Sequence, residues 1–320
     1  MNITLLDSLP GELDAIAIDS PEATFYQTRP WLESLAATLD SFELRCFVAE
    51  ADGVMLGYLP FFFKRTGPFL RAWSLPFGTY GGPVARGRRE VSSQLMNAYL
   101  DLLGQRRVLE AGWVDFNAPP GSGADSGNPS VTHVVSLEGG FDVVWEERFA
   151  SDRRKRARRA GRLGVTVHES NDPADLLEHY RIYSHRVRSF GTQAPHPLEL
   201  FQELKSRGGE AVRLFVARHE GEVVGGHFNF YHGRDVIAWY GMTSESGDRL
   251  QAGTLLYSEV IRGACEDGYA SYNFGGSLGR RSLIEYKESL GGVRHEYTTR
   301  VQRSRLGAAG AWAVRTARRR

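Results

Sequence analysis

The chain carries one segment twice, and that constrains its fold more than any other feature. Arg45–Phe63 reads RCFVAEADGVMLGYLPFFF and Arg213–Tyr231 reads RLFVARHEGEVVGGHFNFY. Without a gap, Arg45, Phe47, Val48, Ala49, Gly53, Gly57 and Phe62 recur as Arg213, Phe215, Val216, Ala217, Gly221, Gly225 and Phe230. Each copy reads as two strands joined by a short turn, at Ala51-Asp52-Gly53 and at Glu220-Gly221. A repeat so far apart is too long for a solenoid and fits two copies of one domain. The copies differ in polarity: the second has His227 and Asn229 where the first has Leu59 and Phe61.

Length agrees. A chain of 320 residues suits two domains, each with its own core. The expected division is 1–140 and 141–320, at Gly139-Gly140. Lys plus Arg is 39 against 38 Asp plus Glu, so net charge selects no partner. The basic residues crowd instead into Arg153–Arg162 and Arg300–Arg320. Cys46 and Cys265 sit among apolar neighbours and read as buried free thiols, as in a reducing compartment. No apolar run approaches the roughly 20 residues of a membrane helix. The start, MNITLLDSLPGELD, lacks the basic region of a signal peptide, so a cytoplasmic location is expected.

Helical patterns are expected over 22–40, 91–103, 143–149, 175–189, 197–207 and 252–267, with a short basic helix capped by Ser151. Strands are expected over 70–76, 108–117, 132–137, 165–169, 236–241, 269–274 and 295–301, besides the two hairpins. The stretch 119–129 reads as a surface loop. Strands and helices mix without strict alternation, which predicts an α/β fold with mixed sheets, or α+β.

Several constellations carry chemistry. Gly275–Gly279, GGSLG, formally matches a nucleophile elbow, but too little chain follows to supply an acid and a base. It reads better as a strand exit where Gly275, Gly276 and Ser277 offer backbone N–H groups to a ligand. His227, Asn229 and Tyr231 alternate with phenylalanines and share one strand face, opposite Trp239 or Tyr240. Such a face suits a binding cleft or a solvated sheet surface. In SDRRKRARRAGR, Arg154 and Arg158 lie on one helical line, which reads either as a solvated face or, because like charges repel, as calling for a neighbouring anion such as a phosphate. The histidines show no metal-ligand spacing, and no metal site is expected. Lys287 lies between a Gly-rich strand exit and Gly291-Gly292. The tail RSRLGAAGAWAVRTARRR suits an interfacial helix on an anionic membrane or a solvated tail.

Together these residues carry a resemblance. RRKRARRAGRLGV, the hairpin EGEVVGGHFNFYHGRDVIAWYG, LQAGTLLYSEVIRGACEDGYASYNFGGS and EYKESLGG are similar to the acyltransferase domain of Fem-type members of the GNAT superfamily. LPFFFKR and LPFGTYGGPV, which contains Tyr80, resemble its companion domain. The resemblance implies two tandem GNAT-like domains and transfer of an acyl or aminoacyl group to an amine, in peptidoglycan or other envelope precursors. It implies that Lys287, in Tyr-Lys form, stabilises charge near the reacting ester. It also implies a phosphorylated or lipid-linked acceptor, with aminoacyl-tRNA or acyl-CoA as donor and no tightly bound cofactor. Two features depart from the pattern: there is no room for a long tRNA-binding helical hairpin, and Leu250–Leu255 misses the usual pyrophosphate motif at both ends. The competing expectations are an acetyl-CoA-dependent N-acetyltransferase on an amino sugar or small amine, and a binder of an anionic lipid-linked precursor that does not turn it over.

Overall fold

The computed structural model describes residues 1–117, 128–191, 196–277 and 279–317. In chain order its strands are β1 (Asn2–Leu6), β2 (Phe42–Ala51), β3 (Val54–Thr66), β4 (Phe69–Ser74), β5 (Val108–Asp115) and β6 (Asn128–Ser136). Then come β7 (Thr166–Ser170), β8 (Val212–His219), β9 (Glu222–His232), β10 (Asp235–Thr243), β11 (Ser271–Gly276) and β12 (Val293–Arg303). The mixed-sheet α/β class expected from the sequence is what is observed.

Two compact units form, Met1–Ser130 with Glu296–Arg320, and Val131–His295. The expected division at 140/141 is corrected on two counts: the chain passes between units near residue 130, and the C-terminal segment returns to the first unit. The reason is backbone pairing. Thr298–Arg303 of β12 runs antiparallel along Glu110–Asp115 of β5, which satisfies that edge of unit 1. In unit 2, β6 pairs antiparallel with β11. The sixth strand of each unit thus comes from the other half of the sequence.

The internal repeat is structural. Unit 1 orders its first five strands β1-β2-β3-β4-β5, antiparallel until a parallel last step. Unit 2 does the same with β7-β8-β9-β10-β11. Both hairpins turn on two residues of positive φ, Asp52 and Gly53 at 53° and 75°, and Glu220 and Gly221 at 52° and 84°. Turns of that hand match strand twist. Both hairpins also slip register at the same place, after Ala49 and after Ala217.

In each unit a long helix backs one face of the strands, and in unit 2 helix Pro173–Phe190 covers the other face. Helix Ala252–Glu266 buries Leu256, Val260, Ile261 and Ala264 against Val236, Ala238, Tyr272 and Phe274. That spacing is one helical face, and each large aliphatic side chain buried contributes about 1.5–3 kcal/mol. Gly268, at φ 81°, follows the helix end. In unit 1, helix Arg89–Asp101 packs Val91, Leu95 and Tyr99 beneath Phe61 and Phe63. The Tyr99 hydroxyl accepts from Ser74 N at 3.0 Å and donates to Gly112 O at 2.8 Å, tying β4 to β5. Among the described residues no helix is long and apolar enough to cross a membrane.

The two units differ where it matters. β4 and β5 stay paired from Leu70 to Ser74. β10 and β11 pair only over Asp235–Ile237, after which β10 bulges at Trp239 and the ladder ends.

Candidate active site

The end of the β10–β11 ladder is where unit 2 gathers its buried polar groups. His227 and Asn229 project from β9 toward helix Ala252–Glu266. His227 Nδ1 lies 2.8 Å from Asn229 Oδ1, and the Tyr272 hydroxyl donates to the same oxygen at 3.0 Å. Asn229 Nδ2 donates back to the His227 carbonyl at 3.0 Å, which leaves its amide oxygen as the acceptor. His227 therefore carries its proton on Nδ1, and Nε2 is buried with no partner among the described residues. Burial pushes its pKa down to about 4. The ring fits only because position 241 is glycine: a Cβ there would stand 2.2 Å from Cδ2 and 2.3 Å from Nε2 of His227.

Tyr240 does not join this group. The bulge at Trp239 puts two successive residues on one side of β10, so both rings pack on the opposite face of the sheet. Tyr240 lies 4.5 Å from the Tyr183 ring, and Trp239 lies 4.8 Å from Phe201. The expectation of Tyr240 beside His227 is thereby corrected.

A cavity of about 510 Å³ opens beside His227. Its walls are Gly241, Met242 and Thr243 of β10, the start of helix Ala252–Glu266, and Tyr257 and Tyr286. Arg153, Arg186 and Arg280 line it, with Asp248 as its carboxylate. Asp248 is engaged by Arg186 at 3.0 Å and by the Thr243 hydroxyl. Arg153 donates to Ser289 Oγ at 2.7 Å and stacks 4.7 Å over the Tyr286 ring. The Arg280 guanidinium sits 3.9 Å over Phe190. Helix N–H groups without intrahelical acceptors add to this positive field, so the cavity suits a phosphate-bearing ligand.

Lys287 is 2% exposed, on helix Arg281–Ser289. Its ammonium donates to Gly275 O at 2.6 Å and Gly276 O at 2.9 Å, just beyond the last β10–β11 pair. Burial pushes its pKa down to about 7. It does not line the cavity itself, but its charge reaches His227, which does. Gly275 and Gly276 serve differently from the expectation: they present carbonyls to the lysine, while Gly275 N donates to Asn273 Oδ1 at 2.9 Å. Ser277 is buried, its hydroxyl has no partner among the described residues, and position 278 of the formal elbow lies outside them.

The basic helix spans Ser151–Arg162, with Ala150 rather than Ser151 at the cap. Arg154 and Arg158 do not line the cavity. Both turn to Glu146: Arg154 binds its carboxylate and, at 2.9 Å, its carbonyl, and Arg158 lies 3.7 Å from the carboxylate. The anion that relieves their repulsion is this glutamate. Arg153, their neighbour, is the member of the run that reaches the cavity. Tyr80 belongs to unit 1, where it packs on Tyr26, Phe116 and Tyr297 and lines a separate cavity of about 670 Å³. Arg186, Arg280 and Tyr257 were not singled out in the sequence. Spacing from Arg153 gave no signal for them, because they come together only through the fold.

Comparison with known proteins bears on this arrangement. A family model described as an acetyltransferase (GNAT) domain matches residues 148–288, which hold the cavity and Lys287. Over 130 residues the chain is 28% identical to a UDP-N-acetylmuramoylpentapeptide-lysine N(6)-alanyltransferase of Weissella viridescens. That match covers 40% of this chain and 38% of the relative's length. Among solved structures, FemX superposes with a TM-score of 0.71 at 14% identity, over 92% of this chain and 96% of that one. The C-terminal domain of a putative lysylphosphatidylglycerol synthetase from Agrobacterium fabrum gives 0.61 at 13%, over 93% and 95%. A tandem GNAT protein from the clavulanic acid biosynthesis pathway gives 0.54 at 12%, over 95% and 99%. At these identities the likeness is one of fold.

Proposed function

We infer that this chain, a tandem GNAT fold with a GNAT acetyltransferase domain at residues 148–288, is an N-acyltransferase that modifies a cell-envelope precursor. The observation that carries the reading is the Lys287 ammonium, buried where β10 and β11 part, with two of its three N–H donors committed and one left over. In this reading the charge of the ammonium, which reaches His227 on the cavity wall, acts from behind that wall on the carbonyl oxygen of an activated ester. A neutral amine attacks the carbonyl carbon, the C–N bond forms, and negative charge develops on the oxygen within reach of that charge. The carbonyl re-forms as the bond to the leaving group breaks, and the proton lost by the amine goes to water or to the leaving group. The rest of the work is positioning. Arg153, Arg186 and Arg280 hold phosphate, and the His227–Asn229–Tyr272 network keeps the cavity wall rigid and uncharged.

The named alanyltransferase relative supports an amine on a phosphorylated, peptidoglycan-type precursor as acceptor. The donor is then aminoacyl-tRNA. A second reading, with acyl-CoA as donor, has its own support in three arginines around a helix N-terminus, an arrangement fit for a diphosphate. In both readings the chain works in the cytoplasm. Contact with an anionic membrane would run through helix Arg305–Ala317, which leaves Leu306 and Trp312 exposed. That helix begins docked on unit 1, where a Cβ on Gly307 would stand 2.0 Å from Leu109 O. The test is to offer a UDP-linked muramyl pentapeptide with alanyl-tRNA or with acetyl-CoA and to weigh the acceptor. An added alanyl or acetyl mass identifies the donor. Saturable binding without any mass gain would make the chain a non-catalytic binder.

A further inference from the structure

The cations of the basic helix Ser151–Arg162 divide by what they meet. Its first turns belong to the cavity: Arg153 lines it, and Arg156 donates at 2.9 Å to Oε1 of Gln251, another lining residue. Arg154 and Arg158 are taken by Glu146. Asp152, the acidic side chain of the helix, turns to Arg156 at 3.3 Å. Lys155, Arg159 and Arg162 remain. All three are exposed, and among the described residues they have neither a carboxylate partner nor a hydrogen bond. Successive members are one helical turn apart, so they share one face and form a stripe about 10 Å long. Like charges at this spacing oppose the helix that carries them.

We propose that Lys155, Arg159 and Arg162 are a docking stripe for the phosphodiester backbone of an RNA whose 3′ end enters the cavity of unit 2. The inference rests on the reading in which the acyl donor is aminoacyl-tRNA, and it adds where that donor is held. Position and charge carry it together. The stripe begins beside the turn that borders the cavity and runs away from it along the helix. A ligand with its reacting end inside and a train of phosphates outside matches that layout. A free nucleotide donor has few phosphates, which Arg153, Arg186 and Arg280 would hold inside the cavity, and it would leave the stripe without an anion. A membrane surface is bound through apolar side chains beside the basic ones. The stripe interleaves none, because Ala157 and Ala160 of the same helix are buried. Backbone phosphates need only cations in a row: they position an RNA without reading its bases, so the lack of aromatic side chains here is in keeping. Each cation that meets a phosphate releases a counterion, which makes the contact measurable through salt.

The experiment measures binding of a synthetic RNA hairpin with an unpaired 3′ strand, not aminoacylated, to the full chain by fluorescence anisotropy across a salt series. Changing Lys155, Arg159 and Arg162 together to Gln should weaken binding about tenfold or more at low salt and lower the slope of log Kd against log salt by about 2. Arg159→Lys with Arg162→Lys keeps the charge and should keep the slope. Should the triple variant fail to fold, Arg159→Gln alone should lower the slope by about 0.7. A natural chain that does not bind the hairpin would overturn the proposal, as would folded Gln variants with the natural affinity and slope. Loss of binding to phosphatidylglycerol vesicles in the triple variant, with RNA binding unchanged, would overturn it in favour of a membrane surface. No acyl group moves in this assay, so its failure is separate from that of the reading it rests on. Binding through the stripe by a chain that transfers nothing would support the stripe and contradict the transferase. Transfer from acetyl-CoA by a chain whose RNA binding ignores the stripe would contradict the stripe alone.

Discussion

The ammonium of Lys287 donates to the carbonyl oxygen of Gly275 at 2.6 Å, across the point where the β10–β11 ladder has just ended. A lysine so held has little freedom and little water. Its charge is opposed by burial and compensated by two carbonyl dipoles, not by a carboxylate. That arrangement costs stability, and the cost has a definite pH dependence.

The unfolded chain keeps the Lys287 proton up to its ordinary value of 10.5, and the folded chain releases it at about 7. Between those values the unfolded state binds more protons, so stability rises with pH across the window, by at most about 1.4 kcal/mol per pH unit. Below about 7 the full penalty is present. Urea unfolding of the natural chain and of Lys287→Met should show the variant relatively more stable near neutrality, with the gap closing as pH rises. Parallel curves would mean that the lysine is not desolvated.

Acid should act through histidines that burial keeps neutral. Burial pushes His179 down to about 3, and His196 and His227 down to about 4. Each is neutral in the folded chain and takes a proton on unfolding below its ordinary value of 6.5. Stability should therefore be full above about 6.5 and fall as pH drops toward 4. His179→Leu should make the acid slope shallower, measured as thermal midpoint against pH. An unchanged slope would contradict the account for that residue.

The hairpins were legible in the sequence because Asp52-Gly53 and Glu220-Gly221 are local turn chemistry, and the buried pattern of helix Ala252–Glu266 follows its own spacing. The exchanged sixth strands were not. Pairing β12 with β5 joins residues about 190 positions apart, and no local signal marks it. Tyr240 was misplaced for a related reason: a bulge at Trp239 reverses the alternation, and neither glycine nor proline announces it. In the basic run, helical periodicity put Arg154 and Arg158 on one line, and only the fold shows that Glu146 meets that line while Arg153 turns to the cavity.

Gly241→Ala should displace His227, since the added carbon would sit 2.2 Å from its ring. The expected loss is about 1–3 kcal/mol of stability. His227→Ala in the same chain should recover most of it, because the two changes share one space. Additive losses in the double variant would show that Gly241 is needed for another reason.

Arg153→Gln and Arg280→Gln should weaken pyrophosphate binding by unit 2 and flatten its salt dependence. Arg154→Gln should leave affinity unchanged, because its partner is Glu146. Calorimetry across a salt series separates them. Equal effects from all three would mean a diffuse basic surface with no defined cavity site.

The most direct test of the central claim is single-turnover acyl transfer by Lys287→Met, with donor and acceptor saturating and folding checked by circular dichroism. If the ammonium stabilises the developing oxyanion, the rate should fall by about a hundredfold or more, near 2.7 kcal/mol, while the fold persists. A folded Lys287→Met chain that transfers at the natural rate would contradict it.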